Sequence, residues 1–388
     1  MPTGIYIHIP FCKQKCFYCD FLSFEDEMKD LGGETFVMSY SRMRSERNVN
    51  KSFPPNTSPL KNFYVAALVE EIKAAVLGAV DTVYIGGGTP TALPSFLLCE
   101  ILEAVNELPL QPNAEITVEA NPCTITPEYL AEMKARGVTR LSIGLQTTHS
   151  HLLRSLGRIH TKQDFLQNYH AAREAGFDNI NVDLMFALPS QTENEWHETL
   201  EEIIALAPEH ISTYSLTPAE NTPLWEQIER DQLTLPTDII DRNMYHTARK
   251  LLTQAGYTHY EISNFAKPNR ESRHNINCWT MKPYLGFGLG AHSFANQTRW
   301  HNTENLQEYL TAPPNEKRAT TTQLTPSDLQ SEAIILGLRL TNGIPDPQTH
   351  AQEITNLINE GLLTRHKTNI SLTPRGLDLA NRVFTAFL

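Results

Sequence analysis

The chain has 388 residues, 40% of them hydrophobic, and a formal net charge of −12. That length holds one large α/β domain and a smaller one, and the acidic balance argues against a nucleic-acid partner. No basic stretch with an apolar core opens the chain and no apolar run reaches membrane-spanning length, so a cytoplasmic protein with no membrane-spanning segment is expected.

The first strand-like run, 4–9, leads into His8-Ile9-Pro10-Phe11-Cys12-Lys13-Gln14-Lys15-Cys16-Phe17-Tyr18-Cys19. The cysteines follow the pattern C-x3-C-x2-C, with an aromatic before the last. Three thiolates on one short loop can hold three irons of a cubic [4Fe–4S] cluster, and soft sulfur donors suit that chemistry. A cube held this way keeps one iron without a protein ligand. A structural zinc site needs four ligands, usually from two separated pairs. His8 is close, but its place in an alternating apolar run points it away from the loop. A disulfide would leave one thiol over and does not suit a reducing compartment. Cys12, Cys16 and Cys19 are therefore the candidate cluster ligands. Cys99, Cys123 and Cys278 are isolated and read as small buried apolar residues.

Residues 28–59 hold Gly32-Gly33, Arg42, Arg44, Arg47 and Pro54-Pro55 with few apolar positions, which predicts an inserted mobile loop. Beyond it the chain alternates. Short apolar runs at 82–85, 116–119, 140–145, 179–185 and 211–216 continue the strand series begun at 4–9. They read as non-alternating, the mark of parallel strands covered on both faces. Amphipathic runs at 63–79, 97–107, 128–136, 162–175 and 193–207 read as helices, two of them closed by Gly137 and Gly176. Six strands with helical crossovers give an α/β fold with a parallel sheet. An incomplete parallel β/α barrel over 1–215 is expected; an open doubly wound sheet would show the same runs. Residues 216–310 read as an accessory segment packing on that barrel. The Thr- and Pro-rich stretch 311–326 reads as a linker. Residues 327–388 follow as a small C-terminal helical, winged-helix-like domain, with helices at 327–340 and 349–359, a β-wing at 362–372 and a closing helix at 374–387. Its charges are balanced, with Arg339, Arg365, Lys367, Arg375 and Arg382 against Asp328, Glu332, Asp346, Glu353, Glu360 and Asp378. Packing against the barrel or a protein partner suits it better than nucleic acid.

In a β/α barrel the site lies at the C-terminal strand ends. The second strand runs into Gly86-Gly87-Gly88-Thr89-Pro90, where bare backbone can approach a ligand. The third ends in Glu119, the fourth in Gln146, and the fifth carries Asp183. A carboxylate or amide ending an apolar strand costs several kcal/mol, roughly 2–7, unless it is paired. Hydrogen bonds to a neighbouring loop could satisfy each one separately; three at equivalent positions suggest a common ligand.

The cysteine spacing and Tyr18 resemble the signature of the radical S-adenosylmethionine (SAM) superfamily. Together with Gly86-Gly87-Gly88-Thr89-Pro90, Val118-Glu119-Ala120-Asn121-Pro122, Gly144-Leu145-Gln146 and Asp183, the chain resembles the oxygen-independent coproporphyrinogen III oxidase family within it. The match covers most of the chain, roughly 1–24 and 62–388. The resemblance implies that SAM chelates the open iron, and that an electron from the cluster cleaves SAM to methionine and a 5′-deoxyadenosyl radical. It implies SAM contacts from Gly87, Gly88, Thr89, Glu119, Gln146, Arg158 and Asp183, with Tyr6 and Tyr18 lining the cluster and adenine. The oxidase subgroup itself has a long extension before the cysteines and a further cysteine two residues past the third. Here eleven residues precede Cys12, and Phe21 stands at that position. The Cys19-Asp20-Phe21 continuation is similar to the HemW-type haem chaperone subgroup. So is His274-Asn275-Ile276-Asn277-Cys278-Trp279, with Cys278 where that subgroup has tyrosine. An imidazole or a thiolate can ligate haem iron. The resemblance thus makes His274 the candidate haem ligand and Cys278 a second, with His292 and His301 as further alternatives. It implies a chaperone that binds haem and delivers it to an acceptor protein, with an electron donor for the cluster. An enzyme decarboxylating coproporphyrinogen III and a catalytically silent interaction scaffold are the alternatives. No residue is assigned a catalytic role.

Overall fold

A computed structural model describes residues 3–25, 58–347 and 349–388. The loop expected over 28–59 lies outside the described residues, apart from Ser58 and Pro59.

The core alternates as the sequence suggests: β1 (Thr3–Ile9), α1 (Pro59–Ala74), β2 (Val80–Gly87), α2 (Ser95–Asn106), β3 (Leu110–Ala120), α3 (Pro127–Ala135), β4 (Arg140–Gln146), α4 (Ser150–Ser155), α5 (Lys162–Glu174), β5 (Ile180–Phe186), α6 (Glu193–Leu206) and β6 (His210–Ser215). The caps are local. Thr161 and Thr192 each accept an amide three residues on and receive a carboxylate in return, which fixes the starts of α5 and α6. There follow α7 (Pro223–Glu229), α8 (Asp238–Gln254), β7 (Thr258–Glu261), β8 (Asn264–Ala266), α9 (Arg273–Trp279), β9 (Tyr284–Phe287), β10 (His292–Ala295), β11 (Thr298–Asn302), α10 (Leu306–Thr311) and β12 (Arg318–Gln323).

One 12-stranded sheet results, in the order β12-β11-β10-β9-β1-β2-β3-β4-β5-β6-β8-β7. The run from β9 through β6 is parallel; both flanks are antiparallel. Its two end strands, β12 and β7, are not paired with each other, so the sheet stays open. The strand β9, which the sequence reading did not single out, extends the parallel set by pairing Gly4 with Tyr284 and Ile7 with Phe287. The segment 216–310 thus does more than pack on the barrel: it supplies β7 to β11 of the same sheet. The stretch expected as a linker holds β12, paired with β11 and exposed along its length. Its threonines suit a pleated edge, and their hydroxyls tolerate water on both faces.

The core strands are covered on both faces, as the sequence reading has it, but their residue types alternate between apolar and polar. In β1 the side chains Ile5, Ile7 and Ile9 are fully buried in the main apolar core with residues of the flanking helices. Tyr6 and His8 take the opposite face. The same two-residue period puts Thr82 and Tyr84, Thr117 and Glu119, Ser142 and Gly144, and Asn181 and Asp183 on that inner face. Strand register brings them level, Tyr84 beside Thr117, Glu119 beside Ser142, and Gly144 beside Asp183. That inner face is polar, and Thr82, Thr117, Ser142 and Asn181 on it are buried.

The C-terminal elements are α11 (Pro326–Gly337), α12 (Ala351–Asn359), the hairpin β13 (Leu363–His366) and β14 (Asn369–Leu372), then α13 (Pro374–Asp378) and α14 (Ala380–Thr385). Two short helices replace the single closing helix expected, with the break at Leu379, whose φ of −116° and ψ of 31° leave the helical region. Ile354, Leu357, Ile370 and Val383 join the main core. Among the described residues no helix is long and apolar enough to cross a membrane.

Candidate cofactor site and an adjoining cavity

The cysteine loop leaves β1 and is closed at its base. Phe11–Cys12 pairs with Phe24–Glu25, and the Phe24 amide donates to Pro10 O at 2.7 Å. The Phe17 amide donates to Leu156 O at 3.0 Å, tying the loop's middle to α4. His8 does not point away, as expected from its run. Its Nε2 donates to Leu22 O at 2.8 Å, while Nδ1 accepts from Tyr6 OH at 2.9 Å. A polar residue on the inner face of β1 thus anchors the far side of the loop.

Cys12, Cys16 and Cys19 line one cavity of about 330 Å³. Cys12 is buried and the other two are half-buried. Thr89 Oγ1 lies 3.6 Å from Cys12 Sγ, and Arg158 Nη1 donates to Cys16 Sγ at 3.4 Å. Burial pushes the Cys12 and Cys19 thiols up, so bound metal is what would hold them as thiolates. Among the described residues no three His, Cys, Asp or Glu side chains converge on a single ion. Three thiols lining one cavity of this size fit a multi-iron group. Two buried polar atoms on this wall, Arg158 Nε and Asn121 Oδ1, have no hydrogen-bond partner among the described residues, which fits a polar cofactor beside the cluster.

Tyr18, Gly87, Gly88, Thr89, Glu119, Gln146, Arg158 and Asp183 line the same cavity. Tyr6 does not join them: it lines the adjoining cavity, with its ring stacked on Tyr84 at 6.4 Å. The glycines are required first by the chain itself. At Gly87, where φ is +108°, a Cβ would stand 2.4 Å from His8 Nδ1; at Gly88 it would stand 2.8 Å from Phe11 O. The Gly88 and Thr89 amides donate to Ile9 O and Phe11 O at 2.9 and 2.7 Å, so this turn is zipped onto the cysteine strand.

Glu119 accepts from Tyr84 OH at 2.7 Å and from the Gly87 amide at 3.3 Å. Burial pushes its carboxyl up to about 7; the Tyr84 hydrogen bond opposes this and the Asp183 charge adds to it. Asp183 accepts from Ser142 Oγ at 3.0 Å and Asn181 Nδ2 at 2.8 Å. Behind them His210 Nδ1 donates to Asn181 Oδ1 at 2.6 Å and its Nε2 accepts from Tyr260 OH at 2.8 Å. The Ser272 amide then donates to Tyr260 OH at 3.3 Å. Ser272 caps α9.

That helix faces a larger cavity of about 700 Å³, which shares Phe21, Tyr84, Gly87 and Glu119 with the cysteine cavity. His274 and Cys278, one turn apart on α9, both line it, together with His292. His301 is not on the wall; it stacks on His292 at 5.0 Å. The helix is held firmly. The Glu115 carboxylate accepts the Arg273 and His274 amides at 3.2 and 3.1 Å, and His274 Nδ1 is hydrogen-bonded to Thr82 Oγ1 at 3.0 Å. Burial pulls His274 down to about 4, and Arg140 adds to the effect, so its imidazole is neutral at neutral pH. Burial pushes the Cys278 thiol up to about 11, which keeps it protonated. Sequence reasoning missed Tyr84, Ser142, Thr82 and Glu115. Ser142 and Glu115 each lie four residues from a named site residue on the same strand, Gln146 and Glu119, a signal that could have found them; Tyr84 and Thr82 stand three and five residues from Gly87, so this signal does not reach them.

The radical SAM superfamily profile matches residues 6–203, and the HemN C-terminal domain profile matches 324–379. A Lactococcus lactis protein named "Heme chaperone HemW" is 33% identical over 100% of this chain and 97% of its own length. The Bacillus subtilis protein of that name is 33% identical over 99% and 98%. A zebrafish (Danio rerio) protein, "Radical S-adenosyl methionine domain-containing protein 1, mitochondrial", is 31% identical over 88% and 74%. Among solved structures, Escherichia coli coproporphyrinogen III oxidase (HemN) superposes with a TM-score of 0.80 at 21% identity, covering 100% of this chain and 90% of that one, which establishes the fold. The chain belongs to the radical SAM superfamily and, within it, to the family of the bacterial proteins named haem chaperone HemW.

Proposed function

We propose that this protein is a haem chaperone: it holds haem in the larger cavity, beside a [4Fe–4S] cluster and SAM, and delivers it to an acceptor protein. The observation that carries the reading is the 700 Å³ cavity that presents His274 and shares a wall with the cysteine cavity. The names of the full-length relatives support it. The superfamily's [4Fe–4S] cluster and SAM are this chain's cofactors. Cys12, Cys16 and Cys19 would hold the cluster. Tyr18, Gly87, Gly88, Thr89, Glu119, Gln146, Arg158 and Asp183 would hold SAM. When bound, the cluster supplies the electron that cleaves SAM.

This chain's own residues position and exclude. His274 offers a neutral imidazole, a form that ligates iron without first losing a proton. Thr82 fixes one ring nitrogen, and Glu115 fixes the helix on which the ring rides. Cys278, a protonated thiol, is the second candidate ligand. Tyr84 and Tyr6 give the cavity an aromatic wall suited to a flat macrocycle. The reading also includes a haem-acceptor protein, an electron donor for the cluster, a cytoplasmic location and no nucleic-acid partner.

The test is anaerobic reconstitution followed by haem titration of wild type and His274→Ala. A Soret band shifted or weakened in the variant is expected, because the axial donor sets the iron's electronic state. Incubation with coproporphyrinogen III, SAM and reductant should give no decarboxylated product; finding it would replace this reading with the oxidase. Identical haem spectra in both proteins would move the ligand to Cys278 or His292.

A further inference from the structure

One side chain on the shared wall stands apart from its neighbours. Phe21 is 64% exposed, the most exposed of the aromatic residues that line either cavity. Its backbone is not free. Lys15 Nζ and Ser23 Oγ donate to the Phe21 carbonyl at 3.0 and 3.3 Å, and His8 Nε2 donates to the next carbonyl, that of Leu22, at 2.8 Å. A ring left in water on a fixed backbone gains by burial and loses little backbone entropy when covered. Tyr6, Tyr84, Trp279 and Tyr284, the other tyrosine and tryptophan side chains lining the larger cavity, are already half-buried.

We infer that Phe21 is a haem-contact residue, whose ring packs against the porphyrin held in the larger cavity. This rests on the haem reading above. The chemistry favours a porphyrin over SAM as the group that covers this ring. A macrocycle offers a broad apolar face, whereas SAM is small, charged and met in its own cavity by carboxylates, amides and Tyr18. The contact is independent of iron ligation, since it involves ring surface and no donor atom. It therefore extends to a porphyrin without metal, where His274 contributes no bond.

The experiment compares wild type, Phe21→Ala, Phe21→Leu and Phe21→Tyr as reconstituted full-length proteins. Each is titrated with ferric haem, with metal-free protoporphyrin IX and with SAM, and iron content is measured for each. Phe21→Ala is expected to bind both porphyrins about tenfold more weakly. The Soret position should be unchanged and Phe21→Tyr should restore affinity. Should Phe21→Ala fail to assemble its cluster, the Leu and Tyr variants decide, with Tyr expected to bind the metal-free porphyrin more tightly than Leu. Equal porphyrin affinity across the series overturns the inference while leaving the haem reading standing. Weakened SAM binding with unchanged porphyrin binding also overturns it and assigns the ring to adenine. A wild-type protein that binds neither porphyrin removes the haem reading itself, and this inference with it.

Discussion

Among single residues, the cysteines and Glu119 give the sharpest tests. Cys16→Ala should lose the cluster's iron and its visible absorption, because one iron already lacks a protein ligand; Cys99→Ala, on α2 beside Glu132, should keep both. Glu119 carries a pH dependence with a definite sign. Its folded pKa, about 7, lies above its ordinary value of 4.5, so the native chain binds the proton more tightly than the unfolded one. The stabilisation is complete at pH values below the unfolded pKa and is lost as pH rises through about 7. In cluster-free protein Glu119→Gln should flatten this loss, on the order of 3 kcal/mol between pH 4 and 8, in denaturant melts. SAM affinity of the reconstituted variant should fall about tenfold or more. The cysteines were legible in the sequence by their C-x3-C-x2-C spacing, and the carboxylates because each ends or interrupts an apolar strand. Tyr84 was not, since a tyrosine within a buried strand reads as packing until its partner, Glu119, is seen.

Elements were legible in kind more than in extent. The six core strands and the helices between them follow from apolar runs and caps. The strand β9 did not, because four residues ending next to a Gly-x-Gly run offer no period. The edge strand β12 did not, because a polar Thr-rich run reads as a linker when no partner is known. The pairing of His274 with Cys278 was visible as a four-residue spacing and became geometry once α9 formed. That helix is only seven residues long and owes its place to tertiary contacts. Glu115→Ala removes the acceptor of its first two amides and should cost about 1–2 kcal/mol, measured by the urea midpoint. It should also alter the haem spectrum while leaving the cysteine-bound iron count unchanged. An unaltered spectrum would mean that α9 holds its position without Glu115.

Over the molecule as a whole, the C-terminal elements are fastened to the open sheet at the turn between β7 and β8. The Thr341 amide donates to Tyr260 O at 3.1 Å and the Ile262 amide to Arg339 O at 3.2 Å. Arg339 lies over the Trp279 ring at 4.4 Å and pairs with Glu261, which is fully buried, at 3.6 Å. Arg339→Ala would leave that carboxylate without its counter-charge; a loss of about 2 kcal/mol is expected in equilibrium unfolding. A Lys replacement should recover part of it. None of this fastening could be read from the sequence, since Glu261 and Arg339 sit in separate segments with no pattern linking them. The wall between the two cavities has a further consequence. Tyr84 gives its hydroxyl to Glu119 and lays its ring against His274 at 5.3 Å, so a single side chain belongs to both compartments. Two ligands held on opposite sides of such a partition share one thermodynamic cycle. By whatever factor SAM changes the affinity for haem, haem must change the affinity for SAM by the same factor.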